Sequence, residues 1–234
     1  MGTLTTTELI SEVRAHLANR DDLTDSELVT ALNLMQQRLA RKHDFEELRT
    51  IESGSFVISG TPATDKFLAF SALGITNPRE IYSFRVITND GRSRKLKQRT
   101  YRYLDENVPE PEFYATGIPT DYVIWAESFE FWRVPDTAHD YEIRLSQWPT
   151  ALVASPGSAT SDFREKDDIL IMLAVSYLFN RLGEYERGGR FWTIFSDMWK
   201  DAMQEDSTLP DLTVSPGLTR PEGSQPWLDP FVRR

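Results

Sequence analysis

The 234-residue chain contains no cysteine, which removes disulfides, thiolate metal sites and cysteine nucleophiles together. That composition suits synthesis in a bacterial cytoplasm. Its three histidines, His16, His43 and His139, are scattered, and none falls in a His-Glu-x-x-His or comparable metal-ligand spacing. No Gly-x-Ser-x-Gly nucleophile elbow occurs, and Gly60-Thr61-Pro62 is not followed by the glycine-lysine pair of a phosphate loop. Nothing approaches the roughly 18 to 20 apolar residues of a membrane span, and residues 1–18 are too polar and acidic for a signal peptide. The expectation is a soluble protein with no cofactor, no metal and no catalytic residues.

Positive charge is also scarce. The 26 Lys and Arg residues face 36 Asp and Glu residues, a formal net charge of −10. A protein that grips nucleic acid over a broad surface needs clustered cations to neutralise phosphates, so this balance argues against one. It is compatible with a surface that DNA passes without adhering, and equally with an ordinary acidic protein. Acidic neighbours such as Glu46 and Glu47, or Glu165 and Asp167, read as solvated helix-end residues. A hydrolase needs two carboxylates at a defined separation, which a sequence does not specify.

What the chain does have is clear periodicity at both ends. Thr5 and Glu8 have capping-box spacing ahead of Leu9, Ile10, Val13 and Leu17, predicting a helix that ends near Asn19. Thr24 and Glu27 repeat the device ahead of Leu28, Leu32, Met35 and Leu39, which share one helical face. Near the other end, Phe163, Ile169, Leu170, Leu173, Ala174, Tyr177 and Leu178 form one stripe. Phe191, Trp192, Ile194, Phe195, Met198 and Trp199 form another. Neither pair of helices buries its apolar face alone, so the predicted class is α+β, with a four-helix bundle built from both ends.

Between them the pattern changes to short β-branched and aromatic runs with turn residues, predicting a mainly antiparallel β insertion. The expected divisions are 1–48, the N-terminal helix pair; 49–150, the insertion; 151–204, the C-terminal helix pair; and 205–234, an extended Pro-rich arm. Within the insertion, Asn89-Asp90-Gly91 separates two strand-like runs and predicts a hairpin, because these residues tolerate positive φ. On its second arm Lys95, Lys97 and Arg99 alternate with Leu96, and Arg92, Arg94 and Arg102 extend the basic character. A contact with a phosphate or acidic neighbour and a plain solvated face both fit this alternation. The acidic segment Asp105 to Glu112 could complement it within one subunit or across an interface. Tyr122, Ile124 and Ala126, then Phe129, Phe131 and Arg133, then Tyr141, Ile143 and Leu145 predict a three-stranded meander with its aromatics in the core.

In the arm, Pro210, Pro216, Pro221, Pro226 and Pro230 forbid a continuous helix or central strand. A disordered tail is the plain alternative. Leu209, Leu212, Leu218, Trp227, Leu228 and Phe231 are apolar residues that a purely solvating tail has little reason to carry, so they are expected to anchor the arm on another protein.

Three segments carry a resemblance to a known family. They are TDSELVTALNLMQQRLARKHDFEEL (24–48), GIPTDYVIWAESFEFWRVPD (117–136) and GRFWTIFSDMWKDAM (189–203). In this order they resemble the head-to-tail adaptor proteins of tailed bacteriophages, especially the tail tubular or adaptor proteins of short-tailed phages. The resemblance covers most of residues 4–203. It implies a structural virion protein at the head-tail interface, with no catalytic residue to carry over. It also implies a closed ring of about twelve copies beneath the portal protein, DNA passing through the lumen, and a docking surface for the next tail component, a nozzle or tail tube protein. On that reading Asn89, Asp90, Gly91, Arg92, Arg94 and Lys95 form a tail-facing hairpin, and the arm docks on the portal. A cell-wall (peptidoglycan) hydrolase and a carbohydrate-binding tail protein are the alternatives; the first needs a cleft with paired acids of unequal pKa, the second exposed Trp and Tyr on the inserted sheet.

Overall fold

The structure, a computed structural model, describes residues 4–20, 22–88, 90–163 and 165–207, the side chains of 205–207 apart. The chain opens with α1 (Thr6–His16) and α2 (Asp25–Lys42). It continues through β1 (Arg49–Ser55), α3 (Pro62–Asp65), β2 (Phe67–Ala69), β3 (Pro78–Ile87), β4 (Ser93–Lys95), β5 (Lys97–Gln98), α4 (Tyr101–Asn107), β6 (Asp121–Trp125), β7 (Ser128–Trp132) and β8 (Asp140–Gln147). It closes with α5 (Asp167–Arg181) and α6 (Tyr185–Ser207). The class is therefore α+β, with six α-helices and two mostly antiparallel sheets among the described residues.

Both expected capping boxes are formed. Glu8 accepts the Thr5 N–H at 2.7 Å and Glu27 accepts the Thr24 N–H at 3.0 Å, while each threonine hydroxyl accepts the N–H of its glutamate. Two orphan donors are thus satisfied at each helix start. Leu28, Leu32, Met35 and Leu39 of α2 are all buried. They join one hydrophobic cluster that draws on α1, α2, α5 and α6 together with Phe45, Leu152 and Phe163.

The expected four-helix bundle is not what this cluster forms. Helix α5 is the hub: it packs along α1, α2 and α6, whereas α6 meets the other two through ring contacts near their C-terminal ends, at His16 and Lys42. The reason lies in α5 itself. Ile169, Ile171 and Val175 are buried as well as Leu170, Leu173, Ala174 and Leu178, so the helix is apolar nearly all round and takes a central position rather than presenting one stripe. Helix α6 is amphipathic but incompletely covered, with Phe195 buried and Trp192 and Ile194 each 46% exposed.

The sheets run β1-β8-β3-β4 and β2-β7-β6-β5, and they share a second core. Phe84, Ile143 and Leu145 from the first meet Tyr122, Phe129 and Phe131 from the second, with Phe84 and Phe129 ring centroids 4.9 Å apart. The expected meander is corrected here. Strands β6 and β7 form a hairpin, but the third run, β8, crosses into the other sheet between β1 and β3. Alternation dictates which side chains face the core, and both sheets face the same core, so alternation alone does not assign a strand to either sheet. The second arm of the β3–β4 hairpin makes a similar crossing at buried Leu96. Its N–H bonds the Phe84 carbonyl in one sheet, and the next N–H, of Lys97, bonds Thr120 in the other. The β5–β6 pair that results is parallel.

Candidate functional site

The β3–β4 hairpin carries the first part of the basic run on an exposed turn. Gly91 adopts φ +75° and donates to the Thr88 carbonyl at 2.7 Å, while Thr88 N–H donates to the Arg92 carbonyl at 2.9 Å. Glycine is needed there because a side chain disfavours positive φ. The Thr88 hydroxyl donates to the Asp90 carboxylate and holds its pKa below the usual aspartate range. Asp90, Gly91, Arg92, Arg94 and Lys95 are all exposed; Asn89 lies outside the described residues. Arg92 pairs with Asp90 at 3.4 Å, whereas Arg94 and Lys95 have no carboxylate in ion-pair range among the described residues. The hairpin walls a cavity of about 680 Å³ with Ile118 and the buried His139, whose Nε2 faces Thr137 and Asp136.

Two further residues of the basic run, Arg99 and Arg102, are already occupied. Arg99 binds Asp121 at 2.6 Å and lies over the Tyr103 ring, and Arg102 pairs with Glu106 at 2.7 Å, so the acidic segment 105–112 supplies one internal partner. Another residue of that segment, Glu112, binds Lys66 at 2.8 Å, which holds its carboxyl below the usual range. Burial pushes the Glu130 carboxyl up, against the pull of Lys66. These are two acids of unequal pKa, yet neither lines the hairpin cavity or the groove described next.

A groove of about 810 Å³ runs beside β1, lined by Glu46, Arg49, Ile51, Tyr82 and Arg144 among others. Sequence reasoning missed it. The signal was present in Arg49-Thr-Ile-Glu-Ser-Gly-Ser, a strand with a single large apolar residue, Ile51, which is 59% exposed. Arg49 is bound by Asp44 at 2.9 Å and Arg144 by Glu142 at 3.0 Å, so the two arginines of the groove are internally neutralised.

The aromatics expected in the core divide. Tyr122, Phe129, Phe131 and Tyr141 are buried, and burial pushes the Tyr122 hydroxyl up to about 12. Trp125, at the β6–β7 turn, is 56% exposed and stacks on Tyr101 at 4.7 Å. The three histidines stay apart in the fold, and among the described residues no cluster of metal-ligating side chains forms. No helix there is long and apolar enough to cross a membrane. The arm residues Leu209, Leu212, Leu218, Trp227, Leu228 and Phe231 lie outside the described residues.

Comparison with known families decides the class. A model of the SU10 adaptor protein family matches residues 4–219, spanning the helices and both sheets. The chain belongs to the SU10 adaptor protein family. It is a bacteriophage adaptor, a structural component that works in contact with other virion proteins. No curated protein matches the chain.

Proposed function

We propose that this adaptor forms a closed ring of about twelve copies beneath the portal protein, extends the DNA channel and docks the next tail component. The observation that carries the reading is the family match over residues 4–219, which takes in the whole described fold. Each copy needs two unlike lateral surfaces for such a ring, because a heterologous contact closes only if the surfaces differ and the rotation sums to a full turn. The basic hairpin docks on an acidic surface of a neighbouring virion protein. The arm, taken to follow α6 from residue 208, anchors on the portal through its apolar residues, Trp227 and Phe231 above all, with prolines limiting the entropy lost on docking.

The excess of acids has a use in this arrangement. A lumen lined by Asp and Glu repels DNA and lets it slide, since the counterion-releasing contacts that hold phosphates are missing.

The test is to mix the purified adaptor with purified portal rings and follow the mass and images of the product. A ring stacked coaxially on the portal is expected, and truncation after Gln204 should abolish that stacking while leaving the fold intact. Adaptor that never associates with portal would refute the reading. Carbohydrate binding is the second reading, favoured by the exposed Trp125 and Tyr101 pair. Loss of glycan binding in Trp125→Ala would be its signature.

A further inference from the structure

Both edges of the first sheet are open, and they differ in a way that makes them complementary. Strand β1 lies at one end and β4 at the other, with no further strand on the outer side of either among the described residues. Natural sheets blunt such edges with short strands, lysine, proline or a covering element. Strand β1 carries none of the residues that do so: it is seven residues long, contains no Pro or Lys, has no buried residue, and exposes Ile51 beside the groove. Its ladder to β8 is its principal hold on the fold. An unblunted edge of this kind is a template for another strand.

Charge selects the strand. With Arg49 and Arg144 neutralised by Asp44 and Glu142, the strand's Glu52 remains without a cation partner among the described residues. At the opposite edge Arg94 lies in the field of Asp90, and Lys95 has no acid in ion-pair range among the described residues. Pairing β4 with a second β4 would set cations directly opposite one another, which is destabilising, whereas β4 beside β1 sets Lys95 against Glu52. We infer that β4 of one copy adds to the edge of β1 of the next copy, its Lys95 facing Glu52, so that adjacent subunits share a continuous sheet. This rests on the ring reading above and identifies the hairpin's partner as a second copy of this chain. Two different edges of one sheet make a head-to-tail contact, the kind that closes into a ring.

The absence of native cysteine makes the test clean. Cysteine at Arg94 is combined in turn with cysteine at Ile51, Ser53 or Ser55, exposed positions that cover the register. Each double variant is checked for wild-type circular dichroism, assembled on portal rings and oxidised. A ladder of covalent multimers in denaturing gels is expected from at least one pair, and none from the single variants. Rings that form normally but yield only monomers from every pair would overturn the pairing while sparing the ring. Dimers from Ile51→Cys alone would show β1 pairing with itself, which also overturns it. A wild-type chain that forms no ring on the portal removes both ideas. Charge reversal gives a second readout that needs no crosslink. Lys95→Glu should lower ring yield by at least about tenfold, and adding Glu52→Lys should restore it. Intact rings that have lost only the tail component would assign the hairpin to that protein instead.

Discussion

Asn33 and Leu152, 119 residues apart, exchange two hydrogen bonds: the Asn33 amide donates to the Leu152 carbonyl at 2.9 Å and accepts its N–H at 2.8 Å. A side chain in the middle of α2 thus imitates a strand, satisfying both polar groups of a buried backbone unit as the chain leaves the sheets for α5. Replacing Asn33 by Leu strands both groups. We expect a loss of about 2 to 4 kcal/mol in urea unfolding, and a smaller loss for Asn33→Asp, which keeps the acceptor.

The capping boxes give a second expectation. Thr24→Ala removes the acceptor for the Glu27 N–H and should cost about 1 kcal/mol by the same measurement. The Thr24 N–H holds the Glu27 pKa below its ordinary 4.5, so its contribution is complete above that pH and disappears as pH falls through the lowered value. Thr24→Ser should retain most of the stability.

Two carboxylates should give pH dependences of opposite sign. Burial tends to raise Asp65, but donors from Ser59, Gly60 and Thr61 outweigh it and leave the pKa below 3.8. Asp65→Asn should therefore destabilise the fold at neutral pH, the difference shrinking as acid protonates the wild type below pH 3.8. Glu130 is raised by burial, so folding loses stability as pH rises from 4.5 through its folded value. Glu130→Gln should be more stable than wild type at neutral pH and no more stable in acid. Stability curves across this range check both signs.

Adjacent glycines in α6 should respond differently to alanine. A Cβ on Gly189 meets open space, and Gly189→Ala should gain about 0.5 to 1 kcal/mol from helix propensity. A Cβ on Gly188 would sit 2.4 Å from the Asn180 amide oxygen, so that exposed side chain must turn aside. Gly188→Ala should gain less in thermal unfolding.

Features written in local sequence were legible. Thr5 with Glu8, Thr24 with Glu27, and Asp90-Gly91 each act over a few residues, and each forms the expected cap or turn. What long-range packing decides was not. Tyr141, Ile143 and Leu145 alternate identically whichever sheet they join, and α5 reads as a stripe until its remaining face proves buried too. The same limit hid the surface groove. Ile51, Tyr82 and Arg144 come together only when β1, β3 and β8 align, and the Asn33 to Leu152 bond leaves no trace in spacing. Trp125 and Phe129 occupy similar alternating patterns, yet the first ends its strand beyond the core and the second sits within it.

The most direct measurement is a cryo-electron microscopy reconstruction of the neck of the virion that carries this protein. The expected result is a ring of copies of the fold described above, coaxial with the portal and in contact with it, with the tail component attached on the far side. A reconstruction in which the chain lies away from the portal axis, or appears as isolated copies around it, would contradict the ring-adaptor function.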